Sequence, residues 1–363
     1  MKYIRPYQKQ PVTRFALHVS MKLPTRSFLT TAIALAGLIT VNNAANAALL
    51  AYEGFDYVPG VLSGNNGGLG WTAGWAQNGG SINNSLVVAG GYTYTDVNGY
   101  SLIVSGNRAH VTGDGTATGD NTGGTAASAQ PLRLLNSGRG LSGGPETTWI
   151  SLISLRTGLA NPAPGTAPND YLYGRAVGTQ FFYQSTTATT AGNEQFSIGR
   201  ATQSSETDTS WVNDTWTVSQ QGNANGQKIS NLNFANSPAD FILIRIDHVG
   251  LNTNDVANAD TLRMWINPTD LNAIPSDASA DITFNSNEFA GAPLSLTRDW
   301  VFNRIRLFGG GLQGTSYGAF DLDELRIGET FGDVTPNSNI VPEPAVAAIA
   351  GLGLLALIIR RRR

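Results

Sequence analysis

The chain of 363 residues reads as an all-β protein built as a sandwich of two sheets. Three observations predict this. Apolar residues recur with a period of two in short runs, as strands require, and no run sustains the helical period over a long stretch. Glycine (42 residues), Asn, Thr and Ser punctuate these runs at short intervals, which suits turns. Charged residues make up only 13% of the chain and cysteine is absent. Disulfides, thiolate chemistry and cysteine-ligated zinc are thereby excluded, so an apolar core must hold the fold.

Residues 1–47 read as a leader, with Met21 as the expected true start. Lys22 and Arg26 precede an apolar stretch from Phe28 to Val41, followed by Ala45-Asn46-Ala47. That is the three-part layout of a secretory signal, with small residues where signal peptidase cuts, so cleavage would leave Ala48 as the mature N-terminus.

The segment 48–336 is expected to be the β-sandwich ectodomain. In Phe241 to His248, Ile242, Ile244 and Ile246 point to one face, and Phe241, Leu243, Arg245 and Asp247 to the other. An Asn- and Asp-rich turn from Asn252 to Asp260 leads to an alternating run, Thr261 to Asn267, which predicts a hairpin. Further strands are expected at Trp149 to Arg156, Gly178 to Tyr183, Gln195 to Gly199, Thr215 to Val218, Trp300 to Phe308 and Phe320 to Ile327. Residues 113–128, almost wholly Gly, Thr, Ala, Asp and Asn, are expected to form a flexible loop, and Asn161 to Pro168 a stiffer one.

Charge divides unevenly. With six basic residues in the leader and four terminal arginines set aside, 13 of the 23 basic residues remain, against 25 of the 26 acidic ones, a formal charge of −12. Lys228 is the one lysine among them. Such a surface cannot neutralise phosphates, and nucleic-acid binding is rejected.

Few groups are available for catalysis. Outside the leader the histidines are His110 and His248. His248 follows Asp247, but neighbours on a strand face opposite ways, which argues against a triad. Asp321 and Asp323 share a strand face while Glu324 points away, so a glycosidase-type carboxylate pair is not evident. The apolar phase slips within Phe320 to Ile327, which predicts a β-bulge near Asp323, with its carboxylate satisfying backbone donors there. Asp321, Asp323 and Glu324 are also the candidate cation ligands, with calcium as the candidate ion and no other cofactor expected. Trp71 and Trp75, in a Gly-rich stretch, are the candidate exposed platforms for sugar.

Tyr52-Glu53-Gly54-Phe55-Asp56-Tyr57, Asn66-Gly67-Gly68 with Gly70-Trp71 and Trp75, and Asp323-Glu324-Leu325-Arg326-Ile327-Gly328 resemble the laminin-G-like, concanavalin-type jelly rolls. The resemblance implies a two-sheet jelly-roll sandwich whose first and last strands come together.

Residues 337–363 form a distinct tail. Val341-Pro342-Glu343-Pro344 leads into the apolar run Ala345 to Ile359, and Arg360, Arg361, Arg362 and Arg363 close the chain. A helix over 345–359 would rise ~22 Å, short of the ~30 Å hydrocarbon core. Snorkelling arginines on the cytoplasmic side can make up part of the deficit. These residues resemble the PEP-CTERM sorting signal. The resemblance implies processing by an exosortase-type membrane enzyme in a bacterium that makes exopolysaccharide, through an inner-membrane intermediate to the cell surface or extracellular matrix.

The expected role is a non-enzymatic envelope or matrix protein that binds carbohydrate, with exopolysaccharide as partner. The alternative is a glycan-active enzyme, a glycoside hydrolase or lyase, on the same scaffold. N-terminal sequencing of exported protein should begin at Ala48, and its mass should lack Arg360 to Arg363. Replacing Pro342, Glu343 and Pro344 with alanine should leave an unprocessed membrane form, and equal processing of that variant would refute the sorting role.

Overall fold

A computed structural model describes residues 49–113, 128–141, 146–156, 177–185, 193–200, 215–219, 227–233, 238–249, 259–286, 300–312 and 316–338. The leader, the cleavage residues Ala45, Ala47 and Ala48, and the tail from Val341 to Arg363 with its apolar run lie outside these. So does nearly all of the stretch 113–128. Among the described residues no helix is long and apolar enough to cross a membrane.

In chain order the strands are β1 (Leu49–Glu53), β2 (Gly60–Val61), β3 (Ala76–Gly80), β4 (Ser85–Val88), β5 (Arg108–Thr112), β6 (Ala129–Arg139), β7 (Glu146–Arg156), β8 (Val177–Tyr183) and β9 (Asn193–Arg200). They continue with β10 (Thr215–Ser219), β11 (Gln227–Asn233), β12 (Asp240–His248), β13 (Thr261–Ile266), β14 (Ile282–Asn285), β15 (Phe302–Gly309), β16 (Gly311–Leu312), β17 (Ser316–Tyr317) and β18 (Ala319–Gly328). One α-helical turn, α1 (Phe331–Val334), follows, opened by a capping box between Thr330 and Asp333.

Among the described residues these strands build two large antiparallel sheets that form a sandwich, and β16 and β17 pair with each other in a separate two-stranded ribbon. One sheet runs β14-β13-β12-β7-β18-β5-β4-β2, with β1 also paired to β18; the other runs β11-β10-β9-β8-β15-β6-β3. The hairpin expected at Phe241 to Asn267 is β12 with β13, in register from Ile242 opposite Ile266 to Asp247 opposite Thr261. Ile242, Ile244 and Ile246 enter the core between the sheets, together with Phe181, Phe196, Ile305 and Leu307 from the facing sheet. Phe241 and Leu243 instead join Trp149, Ile153 and Trp265 in a second apolar cluster on the outer side of the larger sheet, under Leu102, Leu271 and α1. Alternation along β12 thus serves two cores, which explains apolar residues on both of its faces.

Strand β6 escapes the sequence pattern. Pro131, Asn136 and Gly138 break its propensity, yet it is held between β15 and β3. Pro131 stands beside the irregular stretch of β3 between Gln77 and Gly80, where its missing N–H interrupts a ladder that is already broken.

The opening and closing segments meet as the resemblance implies. Strand β1 pairs antiparallel with the second half of β18, Glu53 opposite Leu325. The Gly-rich stretch lies against β1, with Tyr52 and Leu69 exchanging backbone hydrogen bonds of 2.9 Å each. Gly70, at φ 81°, has no room for a side chain, because a Cβ there would stand 1.8 Å from the Leu50 carbonyl oxygen.

Between the sheets, Glu53 on β1 forms a fully buried ion pair with Arg133 on β6. The same carboxylate accepts from Phe55 N–H (2.9 Å), Tyr57 Oη (2.9 Å) and Trp75 Nε1 (3.0 Å). Arg133 donates to the Ala73 and Gly67 carbonyls and to Asn66, and its guanidinium lies over the rings of Trp71 (4.9 Å) and Trp75 (5.8 Å). Removing one member leaves the other charge buried and uncompensated. Arg133→Met and Glu53→Ala should each lower stability by about 3–5 kcal/mol in urea denaturation. The double variant Glu53→Leu/Arg133→Met should recover a large part of that loss, and additive losses would refute the coupling.

Candidate functional site

The three carboxylates of β18 gather where that strand changes partner. Its first half pairs with β5, Asp321 opposite His110, and its second half with β1. On the other side its register against β7 shifts between Asp323 and Arg326, and Glu324 takes φ 53°. This bulge sits where the phase slip predicts it. It also corrects the expectation for Glu324, since the extra residue turns its side chain to the same side as Asp321 and Asp323, against the segment 89–107.

All three are buried and committed to internal donors. Asp321 pairs with Arg108 (2.7 Å) and His110 Nδ1 (2.7 Å) and accepts from Tyr92 Oη (2.6 Å). Burial alone would raise its pKa, but hydrogen bonds from His110, Tyr92 and Arg108 hold it below the ordinary carboxylate value. Asp323 accepts from the backbone N–H of Tyr92 (2.7 Å) and of Glu324 (2.8 Å), the backbone role expected of it. Glu324 pairs with Arg326 and accepts from Ser105 N–H (2.6 Å) and Tyr52 Oη (3.2 Å). Among the described residues no group of three acids or histidines is arranged to hold a metal ion. The candidate calcium ligands instead form a clamp that fastens the segment 89–107 to the sheet.

Trp71 and Trp75 are corrected likewise. They are 9% and 2% exposed, and their indole N–H groups are spent on the Tyr52 carbonyl (2.8 Å) and Glu53. The loop closes over β1 and its aromatic rings become core instead of sugar platforms. His248 does not touch Asp247. It lies between Asp260 (3.0 Å) and Thr148 (3.0 Å), all three buried, with Arg139 also donating to Thr148 and Trp300 N–H to Asp260. A half-open cleft of about 390 Å³ lies over the turns from Trp265 to Asp281. Its acids hold the turns, Asp281 accepting from Ile266 N–H and Asp270 from Asn272 N–H.

A different surface gathers polar and aromatic side chains of the kind that grip sugars. Ile305 and Leu307 of β15 face the core, so Arg304, Arg306 and Phe308 face outward from the smaller sheet. Gln180 and Phe182 of β8 stand opposite Arg306 and Arg304, and Gln130 of β6 lies on the other flank. Arg306 Nε donates to Gln180 Oε1 (2.8 Å) and Nη1 to Gln130 Oε1 (3.0 Å). Its guanidinium lies over Phe182 (4.4 Å) and near Phe308 (5.5 Å). Arg304 donates to Gln184 Oε1 (2.7 Å) and Asn303 (3.1 Å). Glu194 accepts from Gln180 (3.2 Å). Arg304, Gln180 and Phe182 form a buried floor, while Arg306, Phe308, Gln130 and Glu194 are half-buried. Sequence reasoning missed this row. Two arginines at alternate positions of β15, Arg304 and Arg306, were a usable signal, whereas the glutamines on neighbouring strands carried none.

Asp323 supplies a pH test of the clamp. Burial raises its pKa to about 8, outweighing its backbone donors and Arg326, with the Glu324 charge adding to the rise. A carboxyl raised above its unfolded value favours the folded state when protonated, and that contribution is lost as pH rises through the folded pKa. Stability should therefore fall between about pH 4 and about pH 8, and Asp323→Asn should flatten the fall in urea titrations. An unchanged slope would refute the assignment.

No family model and no curated protein matches the chain. Solved structures similar to it include an endo-β-1,4-glucuronan lyase from the fungus Trichoderma reesei, 12% identical, covering 72% of this chain and 97% of that one at a TM-score of 0.37. An alginate lyase in complex with an alginate trisaccharide is 10% identical, covering 78% and 100% at 0.35. The binding domain of botulinum neurotoxin serotype D is 10% identical, covering 80% of this chain and 51% of that one at 0.33. At these identities and TM-scores the likenesses assign neither a reaction nor a ligand.

Proposed function

We propose that this chain is an exported, surface-sorted, non-enzymatic protein of the envelope or exopolysaccharide matrix. In this reading its jelly-roll sandwich binds carbohydrate on the outer face of the smaller sheet. One observation carries the reading. That face aligns guanidinium, amide and aromatic groups across β6, β15 and β8, but holds no histidine, tyrosine or carboxylate pair among its described residues. Such groups hold hydroxyls and ring faces, yet they offer little to move a proton near neutral pH. Glycosidases need two carboxyls about 5–9 Å apart. On this face Glu194 stands without a second acid among the described residues, and the β18 carboxylates are clamped on the opposite side.

The route of the chain supports the same arrangement. Near its end, Ser338 N–H bonds the Ser101 carbonyl (3.2 Å) and Asn337 bonds the Leu271 carbonyl (3.0 Å), both on the outer side of the larger sheet. A tail processed by an exosortase-type enzyme, after signal peptidase has removed the leader, would leave from that side. The opposite sheet face would then be turned toward the matrix.

Full-length protein in detergent should be retarded in an affinity gel containing the host's own polysaccharide and should release neither reducing ends nor unsaturated ends from it. Phe308→Ala should weaken retardation by about 3- to 10-fold, the worth of one ring contact. Catalytic turnover that survives purification and is lost on Glu194→Gln would instead favour the glycan-active enzyme.

A further inference from the structure

Arg306 stands out among the described arginines of the sheet faces. Among the described residues it donates hydrogen bonds to two neutral side-chain carbonyls and forms no ion pair. Nearby, Glu194 is bonded to Gln180 and not to Arg306. Two arginines and one glutamate leave this face with a net positive charge among its described residues, within a segment whose formal charge is −12. Burial lowers the pKa of Arg306, and the charge of Glu194 opposes the change.

The guanidinium is also held in place before any ligand arrives. Gln180 engages Nε, Gln130 engages Nη1, and the Phe182 and Phe308 rings pack against the group. Among the described residues no hydrogen bond engages Nη2. A planar fork held at Nε and Nη1 suits a planar anion approaching Nη2. Aromatic and amide neighbours suit the sugar ring that carries it.

We infer that the ligand is an acidic glycan and that Arg306 binds the carboxylate of a uronic acid residue. This rests on the carbohydrate-binding reading above and names the chemistry at its centre. Because the rest of the surface is acidic, attraction must be local. Binding should weaken with salt but only by the slope of one or two contacts, and it should not need calcium.

Full-length protein in detergent, with a chelator present, would be run in affinity gels containing polygalacturonate, alginate or hyaluronan, and in gels containing each polymer after carboxyl reduction. Dextran sulfate serves as a sulfate-bearing control. At least one polyuronate should retard the protein about 10-fold more strongly than its reduced form and more strongly than dextran sulfate. Arg306→Gln should remove that difference, and Arg306→Lys, which keeps charge but loses the fork, should retain part of it. Circular dichroism of both variants would show that the fold is kept. Equal retardation by native and reduced polymers, or by dextran sulfate, would overturn the carboxylate assignment while leaving carbohydrate binding in place. Unchanged binding by Arg306→Gln would also overturn it. No retardation by any polymer would remove both readings.

Discussion

The ion pair between Glu53 and Arg133 is the constraint on which the rest of the sandwich depends. Glu53 belongs to β1 in the larger sheet and Arg133 to β6 in the smaller one, and both are withdrawn from water. A buried charge is tolerated only when its partner and its remaining donors are all in place. Here those donors and acceptors come from Phe55, Tyr57, Asn66, Gly67, Ala73 and Trp75, so satisfying one pair dictates the path of the whole opening segment. Burial raises the pKa of Glu53 and Arg133 opposes it, the signature of a carboxylate whose ionised form relies on its partner. Apolar packing alone would let two sheets slide; a pair with this many fixed partners specifies one arrangement.

The same logic governs the middle of the larger sheet. Strand β18 must leave β5 and take up β1, and the handover leaves backbone groups of the bulge and of the segment 89–107 in need of partners. Asp323 serves two of these and Glu324 a third. Three acids in four residues invite a catalytic or cation-binding reading. Their surroundings decide otherwise, because each is already surrounded by protein donors.

Faces of the sandwich are thereby divided between tasks. The outer side of the larger sheet is filled by the second apolar cluster and the clamp, and it receives Asn337 and Ser338. The outer side of the smaller sheet keeps arginine, amide and aromatic groups in a row whose arginines donate to neutral amide side chains.

Much of the architecture was legible in the sequence, since the period of two in β7, β12, β13 and β18 reports which residues face a core. The phase slip in β18 even located its bulge, because a single inserted residue inverts the alternation in a way that no neighbour can hide. The meeting of the two ends was implied by the motifs at Tyr52 and Asp323. Exposure was not legible. Trp71 and Trp75 sit among glycines that suggested an open loop, and the buried pair that draws them inward joins residues 80 positions apart. Strand β6 was hidden because its partners, not its own propensity, hold it extended. The row around Arg306 was hidden for a related reason: its members lie on three strands, brought together by register. A sequence determines which face each strand turns inward, because alternation is local. Which side chains become neighbours across strands, and which charges find partners, was decided only by the tertiary structure, because hydrogen bonding and desolvation depend on distance in space.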